Sequence, residues 1–532
     1  MASGEDSISV RKMDSEDDWR ALVSALAPVD PPDPMSNILR HLKAGGIKSI
    51  VVENDYLDRD FSEEYTVFYA KLFRPHRRHA RRMHFFRSDV SEIIAQEDAA
   101  DIVTGLEAEQ AAGNYAGFLI WRPMSEAPIG RLVLDVLNSW PGFHESLQVS
   151  ATYDTHLLGA RLSVSGIPFM EQDEQFTACG QAALWVVGRH FHAKHGGAWL
   201  SRAGIAEAAF DSHDVNSASS LPGGSGGLGL SNMIAVLRKM GLQPLLFHKR
   251  ERNGEMVWPQ SPASIIIHYL DSGLPVLLGV HKGGDDYHVV TAVGTAFREL
   301  EQTRLDAAGL SYADFFPFLL VNDDKRGINR RMPTGSNSSE GSSEETDYDL
   351  EKDVFFALMP IPQRVFVTAE HAETYSFDTV AGFYKDWPAF RTGLQDQATA
   401  AAGDAVAEAL SSRQVLVRTY LRQGWKYKRW IAGSGAHTVL KARALRHELP
   451  RLVWVTEFAH RPDFNHLDPA QRRIFGHVVY DATAAGQVRN PLLMHVPGAV
   501  YVWKQIRDEY YGRAEPDVFR LDSDLKYVGR YR

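Results

Sequence analysis

The stretch MEQDEQFTACGQAALWVVGRHFH, residues 170–192, decides how this chain is interpreted. A polar approach ends at Cys179-Gly180, and the dense apolar block 182–187 that follows predicts a buried helix beginning near the cysteine. A cysteine in the first turn of a helix faces unpaired backbone N–H groups and the positive end of the helix dipole, which both favour the thiolate. Cys179 is therefore a candidate nucleophile, and a small thiol buried in a core helix is the ordinary alternative.

A partner base is predicted in PVLLGVHKGGDDYHVVTAVG, residues 275–294. Residues 276–280 and 287–293 have the composition of two strands, and the glycines and aspartates between them are typical of a hairpin turn. His288 then lies at the start of the second strand, beside a loop, where it can meet Cys179 through tertiary folding. A histidine at such a position is otherwise a hydrogen-bonded structural residue.

The third candidate follows the next apolar strand, residues 318–321, which ends in Asn322-Asp323-Asp324. A carboxylate or amide that accepts a hydrogen bond from the imidazole fixes its tautomer and stabilises the imidazolium. We select Asp323 for this role. The alternative is that the run only marks the exit from a strand into a turn.

These motifs together resemble the papain-like cysteine peptidases, in particular the branch of bacteriocin-leader (double-glycine) peptidases. The matching elements are Gln172 ahead of CGQAALW, the GLPV strand that leads to Tyr287-His288 and Gly294, and VNDDKRG at 321–327. The resemblance spans Phe169 to Gly327. It implies an α+β fold with a central papain-like cysteine peptidase domain, in which the helix carrying the cysteine packs on an antiparallel sheet.

The resemblance also implies roles. Cys179 is the nucleophile, His288 the general base and then general acid, Asp323 the orienting residue, and Gln172 an oxyanion-hole side chain acting with the Cys179 amide. The family usually has its glutamine six residues before the cysteine; Gln172 is seven before and Gln175 four before. The branch often has Asp-Pro where this chain has Asp323-Asp324, so Asp324 and Asn322 stay open as the third member.

The organisation of the chain is predicted from shifts in composition. Residues 1–34 are acidic and proline-rich and are expected to form a tail, and residues 35–163 an N-terminal α+β region with strands at 49–52, 117–121 and 147–151. Residues 164–362 form the catalytic domain, with a mobile Ser/Glu-rich loop at 331–352. Residues 363–532 form a C-terminal α/β region of no assigned chemistry, with a strand at 364–368 and a helix over 404–430.

Length and composition limit the classes of function that this chain can have. The 532 residues are 44% hydrophobic and 23% charged with a net charge of −10, which is typical of a multidomain globular protein and argues against a general nucleic-acid-binding surface. The single cysteine excludes an intramolecular disulfide and a cysteine-based zinc site. The start of the chain lacks the basic and apolar segments of a secretory signal, and no apolar run is long enough for a membrane span. We therefore expect a soluble, cytoplasmic protein.

Three further patterns are weighed and set aside. The glycines at 224, 226 and 229 match G-x-G-x-x-G, but no strand precedes them as a dinucleotide site requires. The basic run 74–87 is a candidate contact for an anionic partner such as RNA, and a solvated face is the ordinary interpretation. His190, His192 and His195 also suggest a metal site, but residues two apart on a helix point to different faces and no carboxylate lies nearby, which argues against zinc. No cofactor or metal is predicted.

The sequence thus predicts a cysteine peptidase, a thiol hydrolase acting on peptide or isopeptide bonds of a protein or peptide substrate through a Cys-His-Asp triad and a thioester acyl-enzyme. The alternative from another class is a catalytically inactive pseudo-peptidase that serves as a protein-binding scaffold.

Overall fold

The structure, a computed structural model, combines antiparallel sheets with helices, which confirms the predicted α+β class. It describes residues 7–26, 33–73, 75–124, 127–172, 179–210, 228–283, 287–335, 341–342, 345–484, 491–503, 516–524 and 526–529. Among these residues, no helix is both long and apolar enough to cross a bilayer.

The N-terminal part is built on an antiparallel sheet in the order β1-β2-β3-β4-β5. Its elements are β1 (Ile8–Lys12), α1 (Glu16–Leu26), α2 (Asp33–Ala44), β2 (Ser49–Tyr56), α3 (Arg59–Val67), β3 (Ala80–Phe86), α4 (Ser91–Ile94), α5 (Ala99–Ala111), β4 (Tyr115–Trp121) and β5 (Ile129–Leu134). Helices α1 and α2 cover one face of this sheet and α3 to α5 the other, so the sheet separates two hydrophobic cores.

The prediction of an unpacked tail over residues 1–34 is wrong for the part that the structure describes. Strand β1 pairs antiparallel with β2, and α1 buries Trp19 and Leu22 against the sheet. The spacing of Trp19, Leu22 and Leu26 is helical, and these few side chains suffice because the sheet supplies the rest of the apolar surface.

The central part is a second antiparallel sheet in the order β15-β14-β13-β12-β16-β9, with β6 also paired to β13. Its elements are β6 (His144–Ser146), the hairpin β7 (Ala151–Leu157) and β8 (Ala160–Gly166), α6 (Cys179–His195), α7 (Arg202–Phe210), α8 (Leu230–Lys239), β9 (Leu242–His248), β10 (Arg250–Arg252), β11 (Glu255–Val257), α9 (Pro262–Asp271), β12 (Val276–His281), β13 (Tyr287–Phe297), α10 (Gln302–Leu305), β14 (Phe318–Asp323), β15 (Gly327–Pro333) and β16 (Val354–Pro362). The hairpin β7–β8 forms a sheet of its own and packs on the N-terminal core.

Three details of the central part differ from the predictions. The strand expected at 147–151 is absent as such: β6 ends at Ser146 and β7 begins at Ala151. The mobile loop expected at 331–352 is wrong for several of its described residues, because β15 continues to Pro333 and Leu350 is fully buried in the core. The predicted boundary at 163/164 is also crossed, since β6 joins the central sheet.

The C-terminal part contains a third antiparallel sheet in the order β17-β18-β20-β21-β22-β23, and β19 pairs with β24. Its elements are α11 (Ala369–Lys385), α12 (Trp387–Arg391), α13 (Gln397–Ser411), β17 (Val415–Gln423), α14 (Gly424–Gly433), α15 (Thr438–Arg446), β18 (Leu452–His460), α16 (Arg461–Phe464), β19 (Arg473–Ile474), β20 (Gly476–Asp481), β21 (Pro491–Val496), β22 (Ala499–Val502), β23 (Asp517–Arg520) and β24 (Tyr527–Val528). The single helix expected over 404–430 is wrong, because β17 runs through its middle. The strand expected at 364–368 is wrong as well, because these residues form an irregular segment before α11.

Buried polar contacts join the three parts. On the N-terminal side, Glu64 of α3 contacts both Arg122 and Arg202, three side chains that are at most 1% exposed. On the C-terminal side, His268 of α9 lies 3.0 Å from Glu373 of α11. Charges are rarely buried unless they are paired, so these contacts fix how the parts pack.

Candidate functional site

Cys179 is the first residue of α6, as the sequence predicts. The apolar block behind it is buried: Ala182 to Val187 are at most 5% exposed, and the helix packs on β13 of the central sheet. Cys179 itself is half-buried and sits at the edge of this core. The core thus holds α6 against the strand that carries the candidate histidine, while the sulfur stays at the end of the helix.

His288 is the second residue of β13, opposite Val280 of β12 in the antiparallel register. Its side chain is largely buried, with 8% of the residue exposed. Its Nε2 lies 3.0 Å from Oδ1 of Asp323, the last residue of the neighbouring strand β14. The structure therefore brings together the two side chains that the sequence selected from separate strands.

Asp323 is held on both of its oxygens. Oδ1 also accepts a hydrogen bond of 2.9 Å from the backbone N–H of Lys325, and Oδ2 accepts one from the Tyr348 hydroxyl. Asp323 is 2% exposed. Its carboxylate is thereby fixed in the orientation that faces the imidazole.

The two alternatives to Asp323 are placed differently. Asp324 is also buried, and its Oδ1 lies 3.4 Å from His288 Nε2, beyond the Asp323 distance. Neither carboxylate oxygen of Asp324 has a hydrogen-bond partner among the residues that the structure describes. Asn322 instead accepts a hydrogen bond of 3.0 Å from the backbone N–H of Asn329 on β15. The geometry therefore favours Asp323 over both neighbours as the residue that orients His288.

The electrostatics of the pair follow from burial and contact. Burial disfavours the charged imidazole, but the hydrogen bonds with Asp323 and Cys179 and the charges of Asp324 and Asp323 outweigh it and raise the pKa of His288 to about 11. Burial likewise opposes ionisation of Asp323, yet its hydrogen bond with His288 lowers the pKa of that carboxyl. At neutral pH the pair is thus an imidazolium beside a carboxylate.

The pKa of Asp324 shifts in the opposite direction to that of Asp323. Burial, with the nearby charge of Asp323, raises the pKa of Asp324 to about 7 against the opposing effect of His288. Glu171, close behind, also has its pKa raised to about 7, chiefly by burial, with Asp324 contributing. The carboxyl groups near the histidine therefore differ in protonation: at neutral pH Asp323 is ionised and Asp324 is partly protonated.

Nδ1, the second ring nitrogen of His288, has no hydrogen-bond partner among the described residues, although Cys179 contributes to the raised pKa of the ring as a hydrogen-bonding group. The bond between Nε2 and Asp323 is therefore the hydrogen bond that this ring makes within the described part of the chain.

A cleft of about 150 Å³ opens beside the histidine. His288, Asp323 and Tyr348 line it together with the cationic side chains of Lys282 and Lys325. The imidazole, although mostly buried, consequently borders open space rather than sealed core.

The oxyanion-hole candidates are only partly described. Gln172 is buried, 8% exposed, at the end of the segment that follows β8. Gln175 lies outside the described residues.

A side chain at Gly180 would meet Leu228, because an added Cβ would lie 3.3 Å from the Leu228 Cβ. The glycine therefore allows residue 228 to approach the first turn of α6.

Tyr348 is the site residue that sequence reasoning missed. It belongs to the Ser/Glu-rich segment expected to be a mobile loop, yet its hydroxyl reaches Asp323 and burial raises its pKa well above the ordinary value. The only signal was the pair Tyr348 and Leu350, two large residues within an otherwise polar stretch.

His288, Asp323 and Asp324 also offer ligand atoms within 4.8 Å of one another, the one such group that could hold a metal ion in the described part of the chain. Nε2 of His288 and Oδ1 of Asp323 are already bonded to each other, and Oδ2 of Asp323 accepts from Tyr348. Two of the three candidate ligands, His288 and Asp323, are thus engaged in hydrogen bonds with each other and with Tyr348. The geometry therefore suits a hydrogen-bonded pair better than a metal centre.

The basic run 74–87 is not a uniform charged surface where it is described. Arg82 contacts Glu53, and Arg87 donates to the backbone carbonyls of Gly113 and Asp135. Arg74 lies outside the described residues, as do the glycines at 224 and 226. These internal contacts account for at least two of the arginines within the N-terminal fold.

Comparison with known proteins gives little beyond this geometry. No protein-family model matches the chain, and no curated protein matches it. One solved structure that it matches is the peptidase domain of Streptococcus ComA, a bifunctional ABC transporter involved in a quorum-sensing pathway. That match has a TM-score of 0.22 and 14% identity and covers 37% of this chain and 97% of that domain. A TM-score of this size does not establish a common fold.

Proposed function

We propose that residues 164–362 form a papain-like cysteine peptidase domain that hydrolyses peptide or isopeptide bonds through Cys179, His288 and Asp323. The observation that carries the proposal is the 3.0 Å bond between His288 Nε2 and Asp323 Oδ1, which leaves Nδ1 as the ring atom for the thiol at the start of α6. A nucleophile, a base and a residue that orients the base are the three groups that acyl transfer from a thiol requires.

In the proposed reaction, the Cys179 thiolate attacks the substrate carbonyl carbon, forming a C–S bond as the carbonyl π electrons move to oxygen. His288, protonated at neutral pH, gives its proton to the leaving amine as the C–N bond breaks and a thioester remains. A water molecule then attacks the thioester while His288 takes up its proton. The carboxylic acid leaves, and the thiolate and imidazolium are restored.

The oxyanion formed in each half-reaction needs hydrogen-bond donors. The backbone N–H of Cys179, at the first turn of α6, is one candidate because the first N–H groups of a helix have no partner within it. The side-chain amide of Gln172 is the other. We propose both for this role, by resemblance to the family.

The decisive experiment is a cleavage assay on a complex peptide library derived from a proteome, using the full-length protein. We expect new amino termini with the wild type and none with Cys179→Ala or His288→Ala. A matched control is His371→Ala, which removes an exposed histidine of α11 that does not line this cleft. Thermal unfolding of each variant confirms that it folds.

The same proteins distinguish an enzyme from a scaffold. A peptidyl vinyl sulfone forms a thioether with an activated thiol, and Cys179 is the only cysteine, so intact mass reports labelling at one site. Labelling of the wild type that is lost with His288→Ala supports the peptidase. Folded wild-type protein that is neither labelled nor able to cleave the library contradicts the proposal and favours the inactive scaffold.

A further inference from the structure

A second candidate site lies in the N-terminal part, far along the chain from the cysteine. It is a groove of about 400 Å³ between the C-terminal end of α1 and strands β1 to β3. Leu22, Ala25 and Leu26 of α1 line one side of it. The strands contribute apolar side chains such as Met83 and polar ones that include two arginines. The groove is therefore amphiphilic, with an apolar side along the helix.

The apolar side of this groove borders a small inner cavity of about 20 Å³. Leu22, Leu26 and Met83 line both spaces, so the inner cavity lies behind the apolar side of the groove. All described residues that line the inner cavity are apolar, including Phe85 and Trp121 of the sheet. A cavity of this composition offers no partner to water or to a peptide group, but it accepts a hydrocarbon group.

The cationic groups of the groove are Arg11 on β1 and Arg81 on β3. No carboxylate is among the described residues that line the groove. Within the described part of the chain, neither guanidinium forms an ion pair or a hydrogen bond, whereas the adjacent Arg82 contacts Glu53. Both arginines therefore keep the capacity to bind an anion.

The register of the sheet relates Arg81 to the apolar part of the site. Arg81 lies two residues before Met83 on β3, so both side chains belong to the same face of the sheet. Arg81 also pairs with Trp121 of β4, which lines the inner cavity. A cationic group thus lies next to the side chains that separate the groove from the inner cavity.

We propose that this groove binds an unbranched hydrocarbon chain that ends in a carboxylate, such as a medium-chain fatty acid. The carboxylate would contact Arg81, and the chain would lie along α1 toward the inner cavity. A guanidinium binds a carboxylate through two parallel hydrogen bonds. The volume falls within the range of roughly 300–1,000 Å³ that is typical of small-molecule sites.

A hydrocarbon chain fits the apolar side better than a peptide does. Each residue of a peptide brings an N–H and a C=O group, and these groups would lose their hydrogen bonds with water against leucine and methionine side chains. The site shares no residue with the proposed peptidase centre, so the two proposals stand or fall separately.

The test is isothermal titration calorimetry of the full-length protein with sodium octanoate, at constant ionic strength set with sodium chloride. We expect saturable binding with a negative heat-capacity change, which is the mark of apolar burial. Octanol retains only the chain and acetate only the carboxylate. Each should bind about tenfold more weakly than octanoate or less tightly still.

Two variants test the two ends of the ligand. Arg81→Gln should weaken octanoate binding about tenfold, the loss expected for one charge-assisted contact, and leave octanol binding unchanged. Its matched control is Arg77→Gln, which removes the same charge from an exposed arginine that does not line the groove. Ala25→Trp adds an indole at the groove and should weaken octanoate and octanol alike. Ala21→Trp, at an exposed position of α1 that does not line the groove, is its control.

Thermal unfolding confirms that each variant folds. Octanol that binds as tightly as octanoate, or equal octanoate binding by Arg81→Gln and Arg77→Gln, overturns the assignment of a carboxylate ligand. No saturable heat with octanoate, or equal binding by Ala25→Trp and Ala21→Trp, overturns the site itself. Each of these outcomes is read without any assay of peptide cleavage.

Discussion

His288 and Asp323 are joined by a hydrogen bond of 3.0 Å between Nε2 and Oδ1, although they come from different strands and the ring is buried. The register of the central sheet creates this contact. Strand β14 pairs antiparallel with β13, so the end of β14 lies beside the start of β13. Because both residues sit at the same edge of the sheet, a carboxylate meets an imidazole next to the first turn of α6.

The first prediction separates Asp323 from Asp324. Asp323→Asn should slow alkylation of Cys179 by iodoacetamide about tenfold at pH 6, because it withdraws the ionised partner that keeps His288 charged. Asp324→Asn should alkylate at close to the wild-type rate at this pH, since the pKa of Asp324 is raised to about 7 and the residue is mostly protonated. Intact mass spectrometry follows the rates. Equal slowing by the two variants would show that Asp323 has no special role.

The second prediction concerns Tyr348 as a positioning residue. Tyr348→Phe removes the hydroxyl that donates to Asp323, leaving one oxygen of a buried carboxylate without that donor. We expect alkylation of Cys179 about three- to tenfold slower and a lowered pKa of His288, measured from the histidine ring signals by NMR.

Tyr287→Phe is the matched control for Tyr348→Phe. Tyr287 precedes His288 but is 61% exposed and stacks on His281 at 4.3 Å between ring centres, a contact that phenylalanine preserves. It should leave both the alkylation rate and the histidine signals unchanged. If Tyr348→Phe behaves in the same way, Tyr348 only packs the segment that carries it.

The sequence predicts the local parts of this site because each has a local cause. The apolar block after Cys179 requires a buried helix, and the glycines and aspartates ahead of Tyr287 favour a hairpin. Tyr348 was missed because the residues around it are polar and lack periodicity, and only tertiary packing brings its hydroxyl to Asp323. The composition of a segment indicates whether that segment can form a hydrophobic core by itself. It does not indicate whether a single side chain of the segment packs into the core of a neighbouring part.

The errors in the fold have the same origin. The helix expected over 404–430 breaks where Arg413 adopts a left-handed conformation with φ of 55°, and the next residues form β17. The β-branched and aromatic side chains at 415–420 favour a strand, whereas the alanine-rich residues before them favour a helix, and the prediction extended the helix across both. Likewise, β1 and α1 are short segments that acquire stability only by packing on the N-terminal sheet.

The third prediction concerns a contact between the N-terminal part and the turn that follows Asp324. Asn37 of α2 is fully buried and accepts a hydrogen bond of 2.8 Å from the backbone N–H of Ile328, just after the turn that follows Asp324. Asn37→Ala leaves that buried N–H without its acceptor and should lower the free energy of unfolding by about 1–3 kcal/mol. Ser36→Ala, on the same helix, should change it by less than about 0.5 kcal/mol.

A complementary substitution probes the other side of the same contact. Gly327 has φ of 116°, and an added Cβ would lie 2.3 Å from Asn37 Oδ1. Gly327→Ala should therefore destabilise the protein by both strain and collision, and combining it with Asn37→Ala should relieve the collision but not the strain. Urea denaturation of the two single variants and the double variant gives the coupling. Strict additivity would show that the two residues act independently.

The fourth prediction concerns pH and the contact between the central and C-terminal parts. Burial opposes the charged form of His268, but Glu373 and Glu370 outweigh it and raise its pKa to about 10. A raised folded-state pKa means that the stabilisation is complete below the unfolded value of about 6.5 and is lost as the pH rises through about 10. His268→Gln should therefore lower the free energy of unfolding by about 2 kcal/mol at pH 6 and by progressively less toward pH 10.

His371→Gln, which replaces an exposed histidine on α11, is the control and should show no such trend in urea midpoints measured at pH 6, 8 and 10. A difference between wild type and His268→Gln that stays constant across this range would mean that the histidine stabilises the interface by packing rather than by its charge.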